Sequence, residues 1–136
     1  MDLFYQGYLD DSFGIFDNVL KEDPVNVIAL YFKGLIFYEK EMYSDAIINF
    51  KKILIFEPNH VNSLYALGMV EFKSENFPKS LTYFKQIIGI DSNFLNTNTI
   101  ISHIENLIDE EKAADKAAAQ AAADKAASQA AADKAA

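Results

Sequence analysis

A repeat of 34 residues constrains this chain more than anything else in it. Residues 27–60, VIALYFKGLIFYEKEMYSDAIINFKKILIFEPNH, return in outline as residues 61–94, VNSLYALGMVEFKSENFPKSLTYFKQIIGIDSNF. The phase is carried by small, bulky and acidic residues at fixed offsets. Gly34 recurs as Gly68 and, as another small residue, Ser102. Ser12, Ala46 and Ser80 fall in line, as do Phe16, Phe50 and Phe84, and Val19, Ile53 and Ile87. Pro24 is matched by Pro58, and Asp23 by Glu57 and Asp91. A fixed period of this length marks stacked supersecondary units, each unable to bury its apolar face alone. Within a unit the apolar spacing is helical: Phe13, Phe16, Val19 and Leu20 occupy one face at i, i+3, i+6 and i+7.

On these residues the stretch from residue 4 to about 108 resembles the tetratricopeptide-repeat family. The resemblance implies an all-α fold: antiparallel helix-turn-helix repeats stacked in a right-handed superhelix, an α-solenoid, here with a long C-terminal helix. It divides residues 1–108 into a partial repeat (4–26), two full repeats (27–60 and 61–94) and a capping helix (95–108). Lys33, Glu71 and Ser92 depart from the family's pattern, which usually has apolar residues at the first two positions and proline at the third.

In the partial repeat, FYQG ends a first helix, Tyr8 to Asp11 make a turn, and a second helix follows, capped by Asp10 or Asp11, which can accept bonds from free N–H groups. Most of a first helix is missing ahead of Met1, so the chain is expected to begin inside a longer array. Pro24 suits the first turn of a helix running to about residue 39, and Ser44 or Asp45 begins the next. Asn76 offers a cap and Pro78 sits near the start of the helix after it. Gly34 is expected where two helices of a hairpin cross closely, facing Ala46. In the third unit Leu95, Ile100, Ile101, Ile104, Leu107 and Ile108 are expected to cover the end of the stack, with Asn96, Thr99, His103 and Asn106 on the wet face.

After Ile108 the vocabulary changes. Fifteen of residues 113–136 are alanine, and a nine-residue period sets Asp-Lys at 115, 124 and 133. Alanine is the best helix former, and Gln120–Asp124 and Gln129–Asp133 are supporting i,i+4 pairs. Residues 109–136 therefore read as a solvated helical extension. Its regularity suits an engineered spacer; a natural low-complexity tail is the alternative.

Charge and composition exclude several function classes. All twelve basic residues are lysine and the net charge is −8, so phosphate backbones repel the chain and no nucleic-acid partner is expected. No apolar run approaches the ~18 residues of a membrane span. Cysteine is absent, which removes thiolate chemistry and fits a reducing, cytoplasmic setting. His60 and His103 lack a neighbouring triad pattern, and no phosphate loop, HExxH or EF-hand spacing occurs; no catalysis, metal or cofactor is expected.

The family resemblance assigns ligand contacts to the concave faces of the first helices. These positions are Ile28, Tyr31, Leu35 and Tyr38, then Asn62, Tyr65, Met69 and Phe72. The lysine and asparagine clamp that grips chaperone carboxylates in one version of the family is absent, since Tyr31, Leu35, Tyr65 and Met69 occupy its positions. Tyr31, Tyr38 and Tyr65 read as groove residues, Leu35 and Met69 as core. A protein or peptide partner, presenting an apolar or amphipathic segment, is the expectation, with Glu39, Glu41, Glu71 and Glu75 favouring some positive charge. The alternative is a structural or assembly part that uses the alanine helix as a rigid arm. Self-association through an empty groove is a further expectation.

Overall fold

The computed structural model describes residues 2–135, and among these every regular element is an α-helix. They are α1 (Leu3–Glu22), α2 (Val27–Glu39), α3 (Tyr43–Phe56), α4 (Val61–Lys73), α5 (Phe77–Ile90) and α6 (Thr97–Ala135). Each packs on its neighbours in sequence, with one additional contact between α2 and α4. Nearest-neighbour packing of this kind defines an all-α solenoid, whose stability is distributed over successive interfaces.

The hairpins α2–α3 and α4–α5 share one construction. Phe50 and Phe84 are both fully buried, and each lays its ring on a glycine of the partner helix. A Cβ built on Gly34 would stand 2.6 Å from the Phe50 ring, and one on Gly68 would stand 2.7 Å from Phe84. The crossing is thus set by an aromatic ring seated on bare backbone. Ala46 and Ser80, fully buried, keep the second helix close. Ser80 satisfies its hydroxyl by donating to the Gly68 carbonyl at 2.7 Å.

Side-chain caps mark the starts of three of the six helices. Asn26 accepts from the Ala29 N–H at 2.9 Å, so α2 starts at Val27 and Pro24 lies in the turn before it, not in the helix. His60 plays the same part for α4, its Nδ1 accepting from Ser63 N–H at 3.1 Å. Helix α3 starts at Tyr43, earlier than Ser44 or Asp45. Asn76 stands at the N-cap of α5 without a side-chain capping bond, while Pro78 sits in the first turn.

The N-terminal unit departs from expectation. Residues 3–22 form a single helix, with no turn over Tyr8 to Asp11, and its cap is Asp2, which accepts from Tyr5 N–H at 2.7 Å. Lys33, the family's apolar position, is accommodated against this helix: its ammonium donates to Asp17 at 3.1 Å and lies 4.6 Å from the Phe13 ring centre. Phe16 stacks on Phe32 and Phe13 meets Phe37 edge-on.

At the other end α6 closes the second core through Ile104, fully buried, with Ile100, Ile101 and Ile108 packed beside it. Leu95 does not cover the stack: it is 69% exposed in a turn with φ 45°. The helix then continues unbroken through the alanine segment, and its 39 residues span about 58 Å. Gln120 and Gln129 donate to Asp124 and Asp133 at 2.9 and 3.0 Å, in the expected pairs. No helix among the described residues is long and apolar enough to cross a membrane.

Candidate functional site

Helices α2 and α4, with the start of α6, line one side of the stack, and the side chains singled out by sequence divide there. Tyr31, Leu35, Tyr38, Tyr65, Met69 and Phe72 are half-buried, while Ile28 and Asn62 are exposed. Tyr31 is held over Phe50 and against the His60 ring, with ring centres 5.8 and 5.9 Å away. Tyr65 meets Phe84 edge-on at 5.4 Å, and its hydroxyl donates to Asn96 at 3.2 Å. These rings serve the core and the surface at once.

Two depressions lie between the helices. One, of about 320 Å³, is lined by Tyr65, Met69 and Phe72 from α4 together with Asn96, Thr99, Ile100 and His103. The other, of about 150 Å³, is lined by Leu35, Tyr38, Phe50, Ala66 and Met69. Met69 floors both and Leu35 walls the smaller, and each also packs against a core cluster, as read from sequence. Ile28 and Asn62 line neither.

The trough has a polar end. Tyr38 connects the smaller depression to one lined by Glu39, Glu41, Tyr43 and Lys73. Glu41 and Glu75 close the hairpin turns with φ 59° and 57° and point to solvent. Glu71 does not belong to this acidic rim, being only 5% exposed. Burial pushes the phenols of Tyr31 and Tyr38 up, and for Tyr38 the neighbouring Tyr43, Glu39 and Tyr65 add to it. Both phenols therefore remain neutral hydrogen-bonding groups through the physiological range.

Sequence reasoning missed the third wall. Asn96, Thr99 and His103 are exposed, as expected of a wet face, and they also line the larger depression. They stand 34 residues beyond Asn62, Tyr65 and Met69, so adding the period once more would have found them.

The pairing nearest to a catalytic arrangement is Ser63 Oγ at 2.6 Å from His60 Nδ1. Ser63 is fully buried, out of reach of a substrate, and the same His60 nitrogen caps α4. Among the described residues no three metal-ligating side chains converge.

Solved structures share this architecture. The first tetratricopeptide-repeat domain of Spaghetti (RPAP3), bound to the HSP90 peptide SRMEEVD, superposes with a TM-score of 0.70 at 11% identity, covering 77% of this chain and 83% of that one. A crystal structure of MamA gives a TM-score of 0.70 at 21% identity, over 82% of this chain and 68% of that. The tetratricopeptide-repeat domain of Sgt2 from Aspergillus fumigatus gives 0.70 at 13%, over 80% and 74%. No family model and no curated protein sequence matches the chain. The fold is that of a tetratricopeptide-repeat domain.

Proposed function

We propose that this protein is a non-catalytic peptide-binding module whose ligand lies along the trough from Tyr38 to His103. The observation that carries this reading is the pair of depressions sharing Met69, walled by aromatic rings and ending at Glu39 and Glu41. An apolar trough opening to carboxylates suits an amphipathic segment that buries its apolar face and carries a base at one end. The RPAP3 domain, similar in fold, is recorded with the acidic peptide SRMEEVD. Here the contact positions offer Tyr31, Leu35, Tyr65 and Met69, with carboxylates nearby, so an acidic peptide is a poor electrostatic match.

The test is selection from a helical peptide library, followed by fluorescence anisotropy on chains with and without Thr99→Glu. Thr99 is exposed, so the fold should tolerate a carboxylate there. Selected peptides should be apolar on one face with lysine or arginine near an end, and Thr99→Glu should weaken them about tenfold. Preference for acidic peptides, or affinity indifferent to Thr99→Glu, would overturn the reading.

The unbroken passage of α6 from the cap into the exposed alanine segment favours a second role. A helix rooted by Ile104 in the core and projecting into solvent is a stiff arm, able to hold whatever it joins at fixed distance and orientation. Removal of residues 113–136 should leave peptide affinity unchanged and alter only assembly geometry. Lost affinity would assign the tail to the binding site.

A further inference from the structure

Helix α3 is apolar on both sides. Ala46, Phe50 and Ile53 fill the core, while on the opposite side Ile48 is 52% exposed, Ile55 73% and Phe56 56%. At ~100° per residue, Ile55 falls about 20° from Ile48 and Phe50 about 160° from it, so the two isoleucines stand away from the core. A helix apolar all round is ordinarily covered all round. Yet among the described residues α3 packs only on α2 and α4, the helices before and after it. The face also lies outside the trough, none of whose depressions reaches Ile48, Ile55 or Phe56.

The repeat supplies a control. At these three registers α1 carries Gly14, Lys21 and Glu22, and α5 carries Thr82, Gly89 and Ile90, so large apolar side chains at the first two belong to α3 alone. Between the isoleucines stand Lys51 and Lys52, about 60° to one side of Ile48 and about 40° to the other. Both are exposed, and among the described residues neither ammonium has a carboxylate within 4.0 Å. Lys85, which repeats Lys51, does have one: Glu105 of α6 stands 3.2 Å away. Glu71, which Glu105 repeats, is buried instead, so Lys51 is left without the partner that its register has one unit on.

From these positions we infer that the outer face of α3 is a second docking surface, and that its occupant is an acidic amphipathic helix of another protein. Ile48 and Ile55 lie two turns apart, about 10.5 Å, so they match an apolar seam that repeats at i, i+3 or i+4, and i+7. Lysines on both sides of that line call for carboxylates on both flanks of the seam. Phe56 adds an aromatic ring at one end. Other occupants fit less well. A bilayer of anionic lipid is broad and would meet the rest of a chain whose net charge is −8, whereas a helix covers only this strip. On a second copy's α1, Asp10 and Asp17 are already paired with Lys40 and Lys33. On its α6, Glu105, Asp109 and Glu110 flank Leu107 and Ile108, which are half-buried in their own domain.

The probe is a synthetic helix with leucine at i, i+4, i+7 and i+11, glutamate on both sides of the leucines and alanine elsewhere. Its control carries lysine for every glutamate. Both are titrated by fluorescence anisotropy into the full chain and into its Ile55→Glu, Lys51→Gln and Thr99→Glu variants. Ile55 and Lys51 are exposed, and thermal melts check that their variants keep the fold. The glutamate helix should bind saturably, about tenfold or more weaker to Ile55→Glu, severalfold weaker to Lys51→Gln, and unchanged by Thr99→Glu. Failure of the glutamate helix to bind, indifference to Lys51→Gln, an equal loss of the lysine helix on Ile55→Glu, or loss on Thr99→Glu each overturns the proposal. So does binding to phosphatidylserine vesicles that Ile55→Glu abolishes, which would make the face a lipid surface. A concentration-dependent doubling of mass by light scattering, abolished by Ile55→Glu, overturns it as well and would make the occupant a second copy.

Discussion

The seat of Phe84 on Gly68 makes a quantitative claim that one methyl group can test. In an open helix, Gly→Ala stabilises by about 1 kcal/mol, because alanine loses less backbone freedom on folding. Gly14, in α1, has nothing within 4 Å of its would-be Cβ, so Gly14→Ala should show that gain in full. At Gly68 the same methyl would stand 2.7 Å from two atoms of the Phe84 ring, well inside the ~3.5 Å at which carbon atoms begin to repel. The ring has no room to yield, being fully buried with Tyr65 edge-on against it. Overpacking of this kind costs about 1–3 kcal/mol. With two ring atoms struck, the upper half of that range applies, and after the propensity gain Gly68→Ala should lose roughly 1–2 kcal/mol.

Urea denaturation of both variants in parallel is the assay, and they should separate by roughly 2–3 kcal/mol with opposite signs. A double-mutant cycle isolates the cause. With Phe84→Leu in place the ring is gone, and Gly68→Ala should become neutral or stabilising, a coupling of at least ~1 kcal/mol. If Gly68→Ala stabilises as Gly14→Ala does, or the coupling is zero within error, the ring does not set the crossing and the account of both hairpins fails.

Three further outcomes follow from single residues. Glu41 and Glu75 hold left-handed backbone, so glycine at either should raise stability by about 1 kcal/mol, and a lowered melting temperature would refute the strain. The hydrogen bond from the Lys40 ammonium holds the Asp10 carboxyl below the usual carboxylate range, so this pair stabilises the fold above that range and stops doing so as pH falls through the lowered pKa. Lys40→Met should return the Asp10 titration, followed by carboxyl NMR, to the ordinary position; an unmoved titration would count against the pair. Removal of residues 113–136 should lower the far-UV helical signal but leave the thermal midpoint unchanged, since residues 113–135 are exposed throughout; a fall of several degrees would mean that the tail packs on the domain.

Much of the fold was legible because the repeat writes the same packing problem twice. Gly34 with Phe50, and Gly68 with Phe84, gave the phase and the crossing together. What failed was local and has a common cause. Gly7 lies 34 residues before Glu41 and 68 before Glu75, the left-handed turn residues, so a turn near Tyr8 was a fair inference. A turn between hairpin helices is held by the packing of both. With no helix laid across Ser12 and Phe16, the backbone of residues 3–8 gains more by continuing α1 than by turning, despite a cost of about 1 kcal/mol for glycine inside a helix. The groove was half legible for a related reason. Periodicity reports which residues share a face, and it placed Tyr65, Met69 and Phe72, which line one depression, on the same one. The same period carried once more reaches Asn96, Thr99 and His103, and it was passed over there because polar side chains on the last helix look like solvated positions until α6 is packed on α5.

The outer faces of the first and last helices are chemically unlike. At the C-terminal end α6 buries Ile104 and turns Asn98, Ser102 and Glu105 outward, so a following helix would have to strip water from polar groups without replacing their bonds. That end is finished, and extending it as an alanine helix into solvent costs the core nothing. At the N-terminal end α1 exposes Phe4, Tyr8, Ile15 and Val19, and of these Val19 falls in the register that is fully covered in both later hairpins, at Ile53 and Ile87. Exposed apolar area of this kind gains about 25 cal/mol for every Å² removed from water, so covering it stabilises whatever complex does so. Burying the exposed face of α1 against a further helix would therefore cost less than burying the outer face of α6.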